Sequence, residues 1–119
     1  MSETKDKRNW PLRIYDMKKE IRHLNEFKKD ISKGGFYADI KIQYAIVRSI
    51  EILGEASKKI PDDIRAKYPA IPWVEMSKMR DVIVHDYFNL RLDILWEIIN
   101  TKIPEFENIL LSIDIPEEL

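Results

Sequence analysis

Arg80, His85 and Tyr87 fall within the single stretch MRDVIVHDYF, Met79 to Phe88. Arginine keeps its charge and offers a planar fork of donors that fits a phosphate. Histidine exchanges a proton near neutral pH. Together they fit RNA cleavage by attack of a ribose 2′-OH on the adjacent phosphate. His85 would move a proton and Arg80 would stabilise the crowded negative charge. On an ideal helix the two lie ~7.5 Å apart along the axis and ~140° apart around it, so they form neither a close ion pair nor a metal-ligand pair. Arginine is long enough for both tips to converge on a groove beside the helix. Asp81, four residues before His85, is a supporting candidate: it would hold the imidazole in one tautomer and favour its charged form. A helix C-terminus just after His85 pushes the same way. The same residues also suit the polar end of a packed helix, and R-x4-H spacing alone does not choose.

The elements that must position these residues read as helices nearly throughout. In the first, Ile14, Met17, Ile21, Leu24 and Ile31 form one apolar stripe, with Pro11 in the opening turn and KGG at 33–35 as the stop. The second segment, YADIKIQYAIVRSIEILGEASKKI, places Ile42, Ala45, Ile46, Ser49, Leu53, Ala56 and Ile60 on one face. Its small residues Ser49, Gly54, Ala56 and Ser57 would let a neighbouring helix approach closely, and Pro61 ends it. A short helical turn, DDIRAKY, leads into the rigid connector PAIPW. A third helix runs from Trp73 through Val74, Met79, Val82 and Ile83 and is expected to end near His85. That leaves Tyr87 outside regular helix and open to solvent, with Asn89 as a plausible cap. The last segment carries Leu92, Leu95, Ile99, Ile103, Phe106, Leu110 and Ile113, with Pro104 expected to start a new turn or kink the axis after Asn100–Thr101. No run alternates as a half-buried strand does. The expected fold is all-α, an up-and-down bundle of about four long helices with a short extra helix. Residues 1–9 read as a flexible tail and 10–115 as one helical domain.

Composition bounds the chemistry. A chain of 119 residues suits one domain with a single core. Cysteine is absent, which excludes disulfides and thiolate metal sites, and His23 and His85 are the only histidines. No HExxH-type spacing appears, so the expectation is chemistry without a metal or other cofactor. Net charge is −1, but residues 1–33 hold ten Lys/Arg against six Asp/Glu while 93–119 hold one against seven. Such asymmetry can put a basic surface on one side of the molecule, although solvated helix faces account for most charge clusters. The opening MSETKDKRN has no apolar signal segment behind it and no apolar run approaches a membrane span, so a cytoplasmic protein is expected. His23 reads as structural or exposed. Glu55, after Gly54, could face the cleft or simply be solvated. The three tryptophans are spaced for packing rather than as a base-stacking platform.

RDVIVHDYF resembles the R-x4-H-x-Y signature of the HEPN superfamily, specifically its HepT-like toxins. QYAIVRSIEILGEASKKI is similar to that family's second helix, and YPAIPWVEMSKMRDVIVHDYFNLRLDILWEIINTKIPEFENIL to its central and C-terminal part. The resemblance covers most of residues 12–113. It implies an all-α, usually homodimeric, metal-independent endoribonuclease with Arg80 and His85 as catalytic residues, both protomers contributing to one cleft. It further implies the toxin role of a type VII toxin–antitoxin pair, with tRNA among the candidate RNA substrates. The partner would be an MntA-like nucleotidyltransferase antitoxin that transfers AMP from ATP to Tyr87. One departure is Asp81, where the superfamily often has Asn.

The alternative is a non-catalytic helical adaptor for a nucleotidyltransferase, since fold does not fix function. Such an adaptor has no need for Arg80 and His85 together. A nucleotide-binding regulatory module is disfavoured, because no glycine-rich phosphate loop is present.

Overall fold

A computed structural model describes residues 9–85 and 91–112, apart from the side chains of Val84 and His85. The expected tail, the Asn89 cap, Ile113 and the placement of Tyr87 lie outside these residues. Helix α1 spans Trp10–Lys28, α2 Lys33–Ala38, α3 Ile40–Lys58, α4 Asp62–Lys67 and α5 Trp73–His85. Helix α6, Leu92–Glu97, passes through a π-helical turn, Ile98–Lys102, into α7, Ile103–Ser112. With α6 to α7 taken as one run, four long helical segments and two short ones make up the described chain. No strand occurs among the described residues, and the fold is all-α as expected.

The period of the apolar positions builds the core. Ile14, Met17, Ile21 and Leu24 on α1 are buried, as are Leu95, Ile99, Ile103, Phe106 and Leu110 on the C-terminal run. Helix α3 lies between α1 and α5 and so is buried on two sides. That is why Val47, Ile50, Gly54 and Ser57 join Ile46, Ser49, Leu53 and Ala56 in the interior, a wider face than one stripe provides. Helix α5 buries Trp73, Met76, Met79 and Ile83. Val74 and Val82, expected on its apolar face, are instead 60% and 51% exposed.

The glycine stop at 33–35 is not used. Helix α1 ends at Lys28, Lys29 turns extended at ψ 129°, and Asp30 takes φ 61°. Aspartate is among the few residues with a side chain that tolerate this left-handed region. Gly34 and Gly35 lie inside α2, because the Ser32 hydroxyl caps that helix by accepting from Gly35 N–H at 3.0 Å. Ile31 therefore leaves α1 yet still packs against the core. Asp39 caps α3 in the same way, accepting from Lys41 and Ile42 N–H.

Pro104 does not break the last helix; the π turn absorbs it. In the wider register Ile103 N–H donates to the Ile98 carbonyl. The next bond in that register would run from residue 104 to Ile99, and proline has no N–H to give. The Lys28 ammonium supplies the missing donor, 3.2 Å from the Ile99 oxygen. Asn25 to Glu107 at 2.9 Å adds a second tie between α1 and α7. Among the described residues no helix is long and apolar enough to cross a membrane.

Candidate active site

The site begins with a close crossing of α3 and α5. A Cβ added at Gly54 would stand 2.3 Å from Arg80 Cβ and 2.9 Å from its Cγ, closer than any real side chain allows. Only glycine lets α5 come this near, and the residue pressed against it is Arg80. One turn further along α3, the Ser57 hydroxyl lies 2.8 Å from the Gly54 carbonyl and 3.1 Å from the Ser77 hydroxyl on α5. Small residues on both helices thus set the approach, as the α3 sequence predicts.

Pinned at its stem, Arg80 can extend only outward. Its Nε is buried without a hydrogen-bond partner among the described residues, while the side chain as a whole keeps 26% of its surface in solvent. The terminal edge of the guanidinium is therefore the part left to meet another molecule. There Nη1 donates to Asp81 Oδ1 at 3.1 Å and Nη2 to Glu55 Oε2 at 3.4 Å. The Asp81 hydrogen bond raises the arginine pKa above its ordinary value; burial opposes this and Glu55 adds to it.

Asp81 Oδ1 also accepts from Lys58 Nζ at 2.8 Å. Lys58 first and Arg80 second hold the Asp81 carboxyl below the usual carboxylate range. One carboxylate oxygen thus joins a cation from α3 to a cation from α5. The expected partner of Asp81 is His85; its described partners are Lys58 and Arg80. The backbone of His85 is the last residue of α5, which stays helical from Arg80 onward, so the axial and angular offsets of an ideal helix apply to it. Its side chain, like Tyr87, lies outside the described residues.

Glu55 faces Arg80 rather than open solvent alone. Lys58 is absent from the sequence-based candidates, although Gly54, Glu55 and Lys58 share neighbouring faces of α3 at spacings of one, three and four. Had Gly54 been read as the contact point with α5, Glu55 and Lys58 would have followed as its flanks. His23 is half exposed beside Glu20 at 3.5 Å. Among the described residues no group of three or more His, Asp or Glu could hold a metal ion.

Comparisons with known proteins identify the family of the chain. A family model described as Ribonuclease HepT-like matches residues 17–113. A protein of Methanocaldococcus jannaschii named as a candidate RNase is 36% identical over 109 residues, covering 88% of this chain and 90% of its own. A candidate ribonuclease HepT of Thermococcus cleftensis is 39% identical over 94 residues, covering 79% and 86%. A candidate RNase of Caldanaerobacter subterraneus subsp. tengcongensis is 43% identical over 88 residues, covering 74% and 79%. No solved structure matches. With the R-x4-H motif carried on α5 and the match extending over most of the described core, the chain belongs to the HepT-like ribonuclease family.

Proposed function

We propose that this HepT-like ribonuclease is a metal-independent endoribonuclease in which Arg80 and His85 are the catalytic residues. The observation that carries the reading is Arg80 itself, fixed at its stem by the Gly54 crossing and offering only its terminal nitrogens. A phosphate placed on that edge meets a charge that stays on at every working pH. His85 takes the proton from the ribose 2′-OH, the 2′-oxygen bonds to phosphorus, and the bond from phosphorus to the 5′-oxygen breaks. The products are a 2′,3′-cyclic phosphate and a 5′-hydroxyl, whose proton comes from a second imidazole or from water. A homodimer with the two motifs facing across its two-fold supplies that second imidazole. The exposed Val74 and Val82 on α5 support such pairing.

Arg80→Ala and His85→Ala should each abolish cleavage of RNA by the purified protein, with helical content unchanged and wild-type cleavage persisting in EDTA. Full activity in either variant, or activity lost to chelator, would refute this reading.

In the cell the reading extends to a cytoplasmic toxin of a type VII toxin–antitoxin pair, with tRNA among its candidate substrates. An MntA-like nucleotidyltransferase would silence it by joining the Tyr87 oxygen to the α-phosphorus of ATP, with pyrophosphate leaving. The added phosphate charge beside His85 would repel RNA. Tyr87→Phe should retain cleavage and fail to take label from radioactive ATP; labelling at the wild-type level would place the acceptor elsewhere.

One observation favours a second reading. Both terminal nitrogens of Arg80 already meet carboxylates, as in a structural ion pair of a non-catalytic adaptor. For an adaptor, Arg80→Ala would lower stability and change no RNA cleavage.

A further inference from the structure

Charge balance around Arg80 exposes a gap in a site made of the motif residues alone. Arg80 stands between Glu55 and Asp81, so these three groups together carry −1 and would repel the phosphate they are meant to receive. Lys58 brings the cluster to neutrality. Its side chain is 41% exposed, against 26% for that of Arg80, and an ammonium has three donors, of which Asp81 occupies one. Both cations bond the same oxygen, Asp81 Oδ1, so their heads lie side by side at the rim of the α3–α5 crossing.

We propose that Lys58 is a second RNA-phosphate contact of this site, held beside Arg80 by Asp81, which acts as a positioning residue. The proposal rests on the ribonuclease reading for its substrate and deepens it. Arg80, clamped at its stem, engages the scissile phosphate, and the more exposed Lys58 takes a neighbouring phosphate of the same strand. Lys58 therefore contributes to holding RNA in the ground state and the transition state alike. Such uniform binding appears in KM rather than in kcat.

The test is salt-dependent binding of a short single-stranded 2′-O-methyl oligonucleotide of mixed sequence, which cannot be cleaved because it lacks free 2′-hydroxyls. Lys58→Ala should weaken binding about tenfold at low salt and reduce the slope of log affinity against log salt by about 0.7, the value for one phosphate contact on a single strand. Lys58→Arg should restore the slope. Lys59→Ala, which removes the same charge from an exposed neighbour, should change neither. With cleavable RNA, Lys58→Ala should raise KM and leave kcat within about threefold of wild type. In an Asp81→Asn background the Lys58→Ala effect should shrink to under about threefold, since the ammonium is no longer held.

Equal effects of Lys58→Ala and Lys59→Ala would overturn the phosphate contact. An undiminished Lys58→Ala effect in the Asp81→Asn background would overturn the role of Asp81. A wild type that shows no binding at low salt would overturn both. The readout needs no turnover, so a protein that binds the oligonucleotide but cleaves no RNA would sink the ribonuclease reading while still deciding this one.

Discussion

At the crossing of α3 and α5 the backbones approach until only a hydrogen fits at residue 54, and charged groups fill the rim. Where α1 meets the C-terminal run, Met17, Ile21, Leu24, Ile99, Ile103 and Phe106 fill the space instead, and one cation, Lys28, ends on a backbone carbonyl. Apolar packing depends little on salt or pH and tolerates no loss of volume. A charged rim at a glycine contact adds little stability, because exposed ion pairs are weak, but it fixes the direction of an arginine. The two junctions thus divide the work: one keeps the bundle together and the other aims Arg80.

Substitutions should separate these duties. Phe106→Ala, in the apolar junction, should cost about 3–5 kcal/mol of stability, read by denaturant unfolding. Cleavage per folded molecule should be unchanged. Gly54→Ala should cost less, about 1–3 kcal/mol, because overpacking is opposed by alanine's better helix propensity. Its added methyl must push Arg80 or all of α5 away, so cleavage should fall as far as in Arg80→Ala. If Gly54→Ala keeps wild-type activity, the crossing does not aim Arg80 and the division between the junctions fails.

Much of the apolar junction is legible in the sequence, and the charged one only in part. Helix α1 and the C-terminal run each bury one face, so their stripes show directly at helical period. Helix α3 is buried on two sides, which blurs its stripe, and Val74 and Val82 show that an apolar residue on a helix need not face a neighbour. The end of α1 was hidden because Asp30, not a glycine, takes the left-handed turn while Ser32 draws both glycines into α2. Arg80 and Asp81 stand out as motif residues. Their partners Glu55 and Lys58 come from 25 and 23 residues earlier, and local spacing cannot announce a pairing between two helices. Gly54 was the available signal, since a close approach there brings its flanks to the same rim.

The charged junction should also respond to pH in a defined direction. Lys58 and Arg80 lower the folded-state pKa of Asp81, so its contribution is complete above the ordinary carboxylate value of ~3.9. It is lost as pH falls through the still lower folded value. A loss of cleavage well above the carboxylate range therefore belongs to His85, the proposed general base, and not to Asp81. Asp81→Asn should therefore keep that acid limb when kcat is followed against pH. Disappearance of the limb in that variant would return Asp81 to the imidazole as its orienting partner.

The smallest effect should come from one of the two polar ties across the apolar junction, Lys28 to Ile99. Pro104 leaves Ile99 without a backbone donor in the π register, and Lys28 takes its place. Lys28→Met keeps the apolar stem and removes the donor, so it should cost about 1 kcal/mol, the net worth of one hydrogen bond. Pro104→Ala returns a backbone N–H at the next position of that register. In its background Lys28→Met should cost measurably less, because the Ile99 carbonyl now has a second donor to accept from. The comparison is a double-mutant cycle read by urea unfolding, and the coupling should be at least about 0.5 kcal/mol. Strict additivity would mean that Lys28 does not compensate for the proline and that the π turn has another cause. A coupling of the expected sign would show that the apolar junction, like the charged one, is completed by a lysine reaching from one helix to an oxygen on another.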